Sequence, residues 1–332
     1  MSRKKRTKKN NPMSIASIES RAKSHLPPAK HPAGADRCFI IDGHNLAYIA
    51  YYSRHGLSSG GKSTAIMYGM LQDIRSLITT YPAAKLIVCW DGQKHPERLK
   101  LLPTYKSHRE KNMGPREKKR MLKEMIRTRK LLYYLGVPQA YNPDMEGDDM
   151  VYWMTKKYQN LFKVWIVSGD KDMCQLINYD VQVYNPRTKD IYSTFAFICD
   201  QKVEVNQYID YLCLIGDKSD DIPGYYGIGP VRAAQFLSKF KSIKNFLDDE
   251  DAEFSGISDK DKLRDIWKRN RMMIGLKKFN ETHHRERDAT FYKGKTMPKV
   301  DKENFYMMCN KYNLKTFLTS KFITPFEKLN NA

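Results

Sequence analysis

Cys38-Phe39-Ile40-Ile41-Asp42, Leu86-Ile87-Val88-Cys89-Trp90-Asp91 and Val164-Trp165-Ile166-Val167-Ser168-Gly169-Asp170 share one plan, a short apolar run that ends on a carboxylate. Runs of this length without polar alternation suit strands covered on both faces. Between the first two, Ile66, Met67, Met70, Leu71, Ile74, Leu77 and Ile78 recur at helical spacing, and Val181-Gln182-Val183-Tyr184 adds a further strand candidate. This alternation predicts an α/β fold, a mostly parallel central sheet flanked by helices. The C-terminal strand ends of such a sheet line the ligand crevice, so Asp42, Asp91, Asp170 and the nearby Asp172 are expected to converge there.

Two more acidic groups join them by position. Glu146-Gly147-Asp148-Asp149 opens a predicted helix containing Met150, Val151, Trp153 and Met154, and Asp217-Lys218-Ser219-Asp220-Asp221 follows a helical run. Each group taken singly has an ordinary reading, because Asp after a strand is a common turn residue and acids in a first helical turn favour the helix dipole. Five groups in the order that one crevice requires point instead to a shared oxygen-donor site. Clustered carboxylates repel one another unless cations neutralise them, and hard ions such as Mg²⁺ or Mn²⁺ suit all-oxygen ligands. Two such ions about 4 Å apart would orient a water and stabilise the leaving oxygen of a displacement at phosphorus.

The overall charge points to a polyanionic partner. The 332 residues carry 58 Lys and Arg against 37 Asp and Glu, a formal net charge of +21, and such an excess attracts nucleic acid through counterion release. Residues 1–35 hold nine of the basic residues and one acid, so the remaining chain is basic in its own right. That first segment lacks hydrophobic periodicity and is expected to be a disordered arm. Residues 93–130 carry fourteen Lys and Arg against four Glu and are expected to form a long, basic, partly helical insertion. The null for that stretch is a solvated helical surface.

After about residue 200 the pattern is mostly helical, around Asn206 to Ile215, Val231 to Phe240 and Lys262 to Leu276, with a Gly-rich turn at Gly224 to Gly229. The expected organisation is an arm (1–35), a catalytic domain (36–200) with its basic insertion (about 93–130), a helical region (201–290) and a C-terminal helical segment (291–332). Cys38, Cys89, Cys174, Cys199, Cys213 and Cys309 form no C-x-x-C pair and read as reduced core residues. No run approaches the roughly 20 apolar residues of a membrane span, and the basic N-terminus lacks the apolar stretch of a secretory signal. A cytoplasmic, non-membrane protein is the expectation.

Read together, the blocks Ile40-Ile41-Asp42-Gly43-His44-Asn45-Leu46, Trp90-Asp91-Gly92, Tyr105-Lys106-Ser107-His108-Arg109, Glu146-Gly147-Asp148-Asp149, Ser168-Gly169-Asp170-Lys171-Asp172, Gly216-Asp217-Lys218-Ser219-Asp220-Asp221-Ile222-Pro223-Gly224 and Gly227-Ile228-Gly229-Pro230 resemble the 5′ nuclease family. That family comprises flap endonucleases, bacteriophage 5′→3′ exonucleases and the 5′ nuclease domain of bacterial DNA polymerase I. The resemblance spans about Cys38 to Phe240 and is nearest in organisation to the stand-alone bacteriophage enzymes and the polymerase I domain. It implies a PIN-like sheet, a basic helical arch at 93–130 and a helix–hairpin–helix-like region after residue 200.

The same resemblance implies two Mg²⁺ ions, replaceable by Mn²⁺: one held mainly by Asp42, Asp91, Glu146 and Asp148, the other mainly by Asp148, Asp170, Asp172 and Asp217, with Asp149 and Asp220 close or acting through water. Lys106 and Arg109 match the family's basic pair on the arch, which contacts the scissile phosphate and stabilises its developing charge. Tyr105 is the candidate stacking platform for an unpaired base. Gly227, Gly229 and Arg232 match the duplex-binding hairpin, whose carbonyls hold a K⁺ in the family pattern. Two positions depart from the pattern: Ile49 stands where many relatives have Arg, and Asp221 where Asn is common.

The implied function is 5′→3′ exonuclease and flap-endonuclease hydrolysis of DNA in replication, primer processing or repair, by a monomer working with a single-strand-binding protein or clamp. Three alternatives have sequence support. Gly56-Leu57-Ser58-Ser59-Gly60-Gly61-Lys62-Ser63 satisfies a P-loop pattern and suggests an ATPase, although Leu46 to Tyr52 separates it from the first strand. A noncatalytic, structure-specific DNA-binding protein would share the charge but has no need of every acid. An RNase H-like nuclease acting mainly on RNA–DNA hybrids would use the same metal chemistry.

Overall fold

The computed structural model describes residues 36–81, 85–107, 113–290 and 298–331. The expected arm at 1–35 and Arg109 lie outside the described residues. The chain runs β1 (Arg37–Asp42), α1 (Gly43–Ser53), a hairpin of β2 (Ser58–Ser59) and β3 (Lys62–Ser63), α2 (Ala65–Thr80), β4 (Lys85–Trp90), α3 (Pro96–Leu101) and α4 (Pro115–Tyr134). It continues through β5 (Gln139–Tyr141), α5 (Gly147–Tyr158), β6 (Lys163–Val167), β7 (Val181–Tyr184) and β8 (Ile191–Tyr192). Then come α6 (Thr194–Gln201), α7 (Tyr208–Ile215), a ribbon of β9 (Gly216–Asp217) and β10 (Ile222–Pro223), α8 (Pro230–Phe240), α9 (Ile243–Asp248), α10 (Lys260–Ile274), α11 (Leu276–His283), α12 (Lys302–Lys311) and α13 (Ser320–Asn331).

Six strands form the main sheet in the order β5-β4-β1-β6-β7-β8. The apolar runs at residues 38, 86 and 164 lie side by side and parallel, with Ile40 opposite both Ile87 and Ile166. The strands β5 and β8 have no counterpart in the sequence reading, being only three and two residues long. Alternate residues of β1 feed two separate cores: Cys38 and Ile40 pack on the side of α5 and α7, Phe39 and Ile41 on the side of α1 and α2. That division explains the lack of polar alternation, because side chains on both faces of a central strand leave water.

The second core is closed from a distance along the chain. Phe305, Phe317, Phe322 and Phe326 join Ile66, Met70 and Leu131 in it, so α12 and α13 cover α2 and α4. The lower half of α4 is core as well, with Met125, Leu131 and Leu132 buried. Glu124, also in α4, is fully buried and accepts hydrogen bonds from the Ile66 and Met67 amides at 2.6 and 3.2 Å. It thereby satisfies the first turn of α2, which its own Thr64 leaves uncapped. The Gly56–Ser63 stretch is a surface hairpin in which Ser58 pairs with Ser63, and no strand of the main sheet feeds into its glycines, so the P-loop reading falls. All six cysteines are free, and among the described residues no helix is long and apolar enough to cross a membrane.

Candidate active site

The strand ends meet as expected. Asp42 closes β1, Asp91 follows β4 and Asp170 follows β6, and all three line one cavity with Asp148 from the first turn of α5 and Lys106 from the turn after α3. Asp42 is buried and caps α1 by accepting the Asn45 amide at 3.0 Å, while Ser168 Oγ donates to its other oxygen at 3.0 Å. The Gly147 amide donates to Asp91 Oδ1 at 2.6 Å. A Cβ on Gly147 would stand 2.1 Å from that same oxygen, so only glycine lets α5 start this close to the end of β4.

Burial and neighbouring carboxylates raise the proton affinity of Asp42, Asp148 and Asp172. Burial, and then the neighbouring Asp91 and Asp170, push the Asp42 carboxyl up to about 7 although its hydrogen bonds pull it down. Burial also drives Asp148 well above the ordinary carboxylate range; Lys106 opposes the shift, and Asp170, Asp42 and Asp91 add to it. Asp172, in the 3₁₀ turn Lys171–Leu176, is raised by burial and then by Asp170, Asp217 and Asp220. The acids thus form one continuous electrostatic wall from Asp42 to Asp220. Asp42, Asp91, Asp148 and Asp170 ring the cavity without converging: among the described residues no three carboxylate, imidazole or thiolate side chains surround a single point closely enough to share an ion.

Three of the expected site residues are engaged inside the protein, and one buried residue accounts for two of them. Arg98, in α3, is only 2% exposed and donates to both Asp149 oxygens at 2.8 and 2.9 Å and to Glu146 Oε1 at 2.6 Å. Lys106 Nζ holds the other Glu146 oxygen at 2.6 Å. Burial alone would raise Glu146, but Lys106 and Arg98 bring it down to about 2. Asp149, fully buried, also accepts from Asn280 Nδ2 of α11 at 2.7 Å. Glu146 and Asp149 therefore belong to an ion-paired hub beside the cavity, with both oxygens of each engaged and neither residue lining it. Tyr105 is the third, because it is 3% exposed and its hydroxyl lies 3.2 Å from Glu146, which leaves no ring face for a base.

Lys106 itself faces the cavity from a left-handed backbone at φ 55°, a conformation that costs energy in a non-glycine residue. Its amide donates to the Asp220 carbonyl at 3.0 Å, and its ammonium lies 3.7 Å from the Asp220 carboxylate. Asp221, the departure from Asn, has φ 60°, a region that Asp and Asn share more readily than other residues. Tyr48 and Tyr52 were not singled out in the sequence reading. They are exposed, stack at 6.4 Å with an 18° interplanar angle and line the cavity beside Met113; their i, i+4 spacing on α1 was the available signal.

The glycine turn stands apart on the helical side. Gly227 has φ 82°, and Arg232 Nη1 donates to its carbonyl at 3.1 Å. Gly229 caps α8 with an ordinary φ of −97° and open space where a Cβ would sit. Nothing among the described residues requires a glycine at residue 229.

A parallel sheet with carboxylates at its strand ends, backed by a helical region, defines an α/β nuclease of the resolvase-like kind. Residues 37–206 match the family model of the 5′–3′ exonuclease N-terminal resolvase-like domain, and residues 203–293 that of the 5′–3′ exonuclease C-terminal SAM fold. The chain is 34% identical to the 5′–3′ exonuclease of Aquifex aeolicus over 212 residues, 63% of this chain and 71% of that one. It is 28% identical to DNA polymerase I of Mycobacterium tuberculosis over 229 residues, 66% of this chain and 25% of the polymerase. A bacteriophage T5 5′-exonuclease with bound zinc has the same fold, with a TM-score of 0.64 at 24% identity over 73% of this chain and 90% of that one. A bacteriophage T5 flap endonuclease in complex with DNA and metal ions aligns with a TM-score of 0.64 at 21% identity, covering 82% and 99% of the two chains. The protein belongs to the 5′–3′ exonuclease family. It is a 5′ nuclease, a hydrolase of phosphodiester bonds.

Proposed function

We propose that the chain cuts DNA near a 5′ end or at the base of a 5′ flap, using divalent cations gathered by the carboxylate wall. The observation that carries this reading is the gathering of Asp42, Asp91, Asp148 and Asp170 around one cavity, where burial and neighbouring carboxylates raise Asp42 and Asp148. Side chains that raise one another's proton affinity bind a second cation well, and repulsion accounts for their spread around the cavity. Asp42, Asp91 and Asp148 would hold one Mg²⁺ or Mn²⁺, and Asp148, Asp170, Asp172 and Asp217 the other, with Asp220 behind them. When bound, such ions lower the pKa of water and offset charge on the leaving oxygen.

The protein's own groups supply the remainder. Lys106, fixed by Glu146, presents its ammonium at the cavity rim, where it would meet a phosphate oxygen as charge develops. Arg109 would serve the same phosphate from the arch. Tyr48 and Tyr52 offer the stacking surface that Tyr105 cannot. Gly227, Gly229 and Arg232 would take the duplex backbone, since an open Cβ position at Gly229 lets a phosphate approach the main chain; a K⁺ at those carbonyls belongs to the same proposal. RNA–DNA hybrids and replication proteins are further candidates as substrate and partners, and a monomer in the cytoplasm is the working form.

The test uses a 5′-labelled flap duplex and, separately, an RNA–DNA hybrid, in Mg²⁺ or EDTA, with an Asp148→Asn, Asp170→Asn double variant alongside. Metal-dependent cutting at the flap junction, absent from the variant, supports the assignment. Tight DNA binding with no cleavage in Mg²⁺ or Mn²⁺ would sink it.

A further inference from the structure

His44 and Asn45 are consecutive residues in the first turn of α1, and no role described so far uses their side chains. Each has one heteroatom pinned by a main-chain amide at the end of a different strand. The Asp91 amide donates to His44 Nδ1 at 3.0 Å, and the Gly169 amide donates to Asn45 Oδ1 at 2.8 Å. An N–H can only donate, so the accepting atom of each side chain is settled by its partner. Asp91 Oδ2 stands farther from His44 Nδ1, at 3.5 Å, than the donating amide, so His44 carries its proton on Nε2, and Asn45 directs its NH₂ away from Gly169.

Those remaining donors open onto the cavity. Among the described residues neither His44 Nε2 nor Asn45 Nδ2 has a hydrogen-bond partner, and neither is a buried unpaired atom. Both residues line the space shared by Asp42, Asp91, Asp148 and Asp170. The His44 ring is held by Trp90, which it meets edge-on at 5.6 Å, and the residue 45 backbone is held by its main-chain amide, which donates to Asp42 Oδ1 at 3.0 Å.

The value of such donors lies in their neutrality. A lysine or arginine at either position would pair with the carboxylates and compete with divalent cations for them. The ammonium of Lys106 is already engaged by Glu146 at 2.6 Å. A phosphate entering a wall of carboxylates needs donors that neither bring a competing charge nor reorganise on binding.

We propose that His44 Nε2–H and Asn45 Nδ2–H form a preset, uncharged donor pair that binds nonbridging oxygens of a substrate phosphate in the cavity. The assignment rests on the nuclease reading of this cavity. The pair transfers no proton and makes no covalent bond; it acts by position alone.

The experiment is single-turnover cleavage of a 5′-flap duplex by the full chain, with DNA affinity measured separately in EDTA. His44→Ala and Asn45→Ala should each lower the rate or the affinity about 10- to 100-fold, and His44→Gln, which keeps a neutral donor, should recover part of that loss. Methylphosphonate is then placed at one phosphate at a time around the cleavage position. At the contacted phosphate the wild type should lose what the alanine variants have already lost, while the variants lose nothing more. A merely structural role would not produce that position-specific coupling. Unchanged rates and affinities in both alanine variants, or losses that multiply independently at every phosphate, would overturn the proposal. If the wild type cuts nothing under any divalent ion, the nuclease reading fails, and coupling in the EDTA affinities still decides whether the donor pair exists.

Discussion

Asp148 and Asp149 are neighbours in one turn of α5, yet they sit in opposite electrostatic settings. Asp148 looks into a cavity of like charges that raise its proton affinity. Asp149 looks backwards, with Arg98 bonded to both its oxygens and Asn280 to one. Three residues before Asp149, Glu146 is likewise ion-paired and falls to about 2. The comparison teaches that acids in one motif divide into a set left short of cations, suited to recruiting metal, and a set saturated with cations, suited to holding a shape.

The sharpest way to break this division is to neutralise each set in turn. Asp148→Asn with Asp170→Asn should lower single-turnover cleavage on the order of 10³-fold or more, because several kcal/mol of charge stabilisation are lost. The folded state should be as stable as wild type or more so in EDTA melting, since repulsion has been relieved. A variant that loses activity only because it unfolds would place these acids in the structural set.

Arg98→Met should do the reverse. Stranding Glu146 and Asp149 in the interior is expected to cost about 3–5 kcal/mol of stability, read as a lower urea midpoint. Arg98→Lys should recover little, because an ammonium cannot bond both Asp149 oxygens at once. Wild-type stability in Arg98→Met would mean that the hub is not held by charge. Asn280→Ala, which removes a single donor from Asp149, should cost about 1–3 kcal/mol by the same measurement, and the absence of any change would detach α11 from the hub.

The smallest effect is a pair of opposed pH slopes. Folded Asp42 keeps its proton up to about pH 7, while an unfolded aspartate loses it near about 3.9. Between those values the folded chain binds more protons, so this group's contribution to stability falls as pH rises. Glu146 is depressed to about 2 when folded, against roughly 4.3 unfolded, so its contribution is complete above the unfolded value and is lost as pH falls towards the folded one. Urea titrations in EDTA should show Asp42→Asn flattening the upper window and Glu146→Gln flattening the lower. Equal slopes in wild type and both variants would contradict the division.

Much of this was legible from residue order. The apolar runs ending at Asp42, Asp91 and Asp170 announce parallel strands and a shared crevice because a strand's end is a local property. The division inside Glu146 to Asp149 was not legible, since it depends on Arg98, some fifty residues away, folding beneath the cavity. Burial of Tyr105 escaped for the same reason: an aromatic beside two functional positions reads as a platform until tertiary packing turns it inward. Asn280 carried no signal at all, being one polar residue in a helix whose partner face comes from another part of the chain. Strands as short as Gln139–Tyr141 and Ile191–Tyr192 have too few residues for a period to register.

The return of α12 and α13 to the first half of the chain bears on how the enzyme is made. Phe305, Phe317 and Phe326 complete a core whose other walls are Phe39, Met70 and Leu131, so those early residues stay partly uncovered on the ribosome until residues 302–331 have been synthesised. Contacts that span most of the sequence close late and slowly. The consequence is a nuclease whose sheet acquires its full support only as this distal segment docks, which puts a delay of the chain's own making between translation of the cavity carboxylates and the first cut.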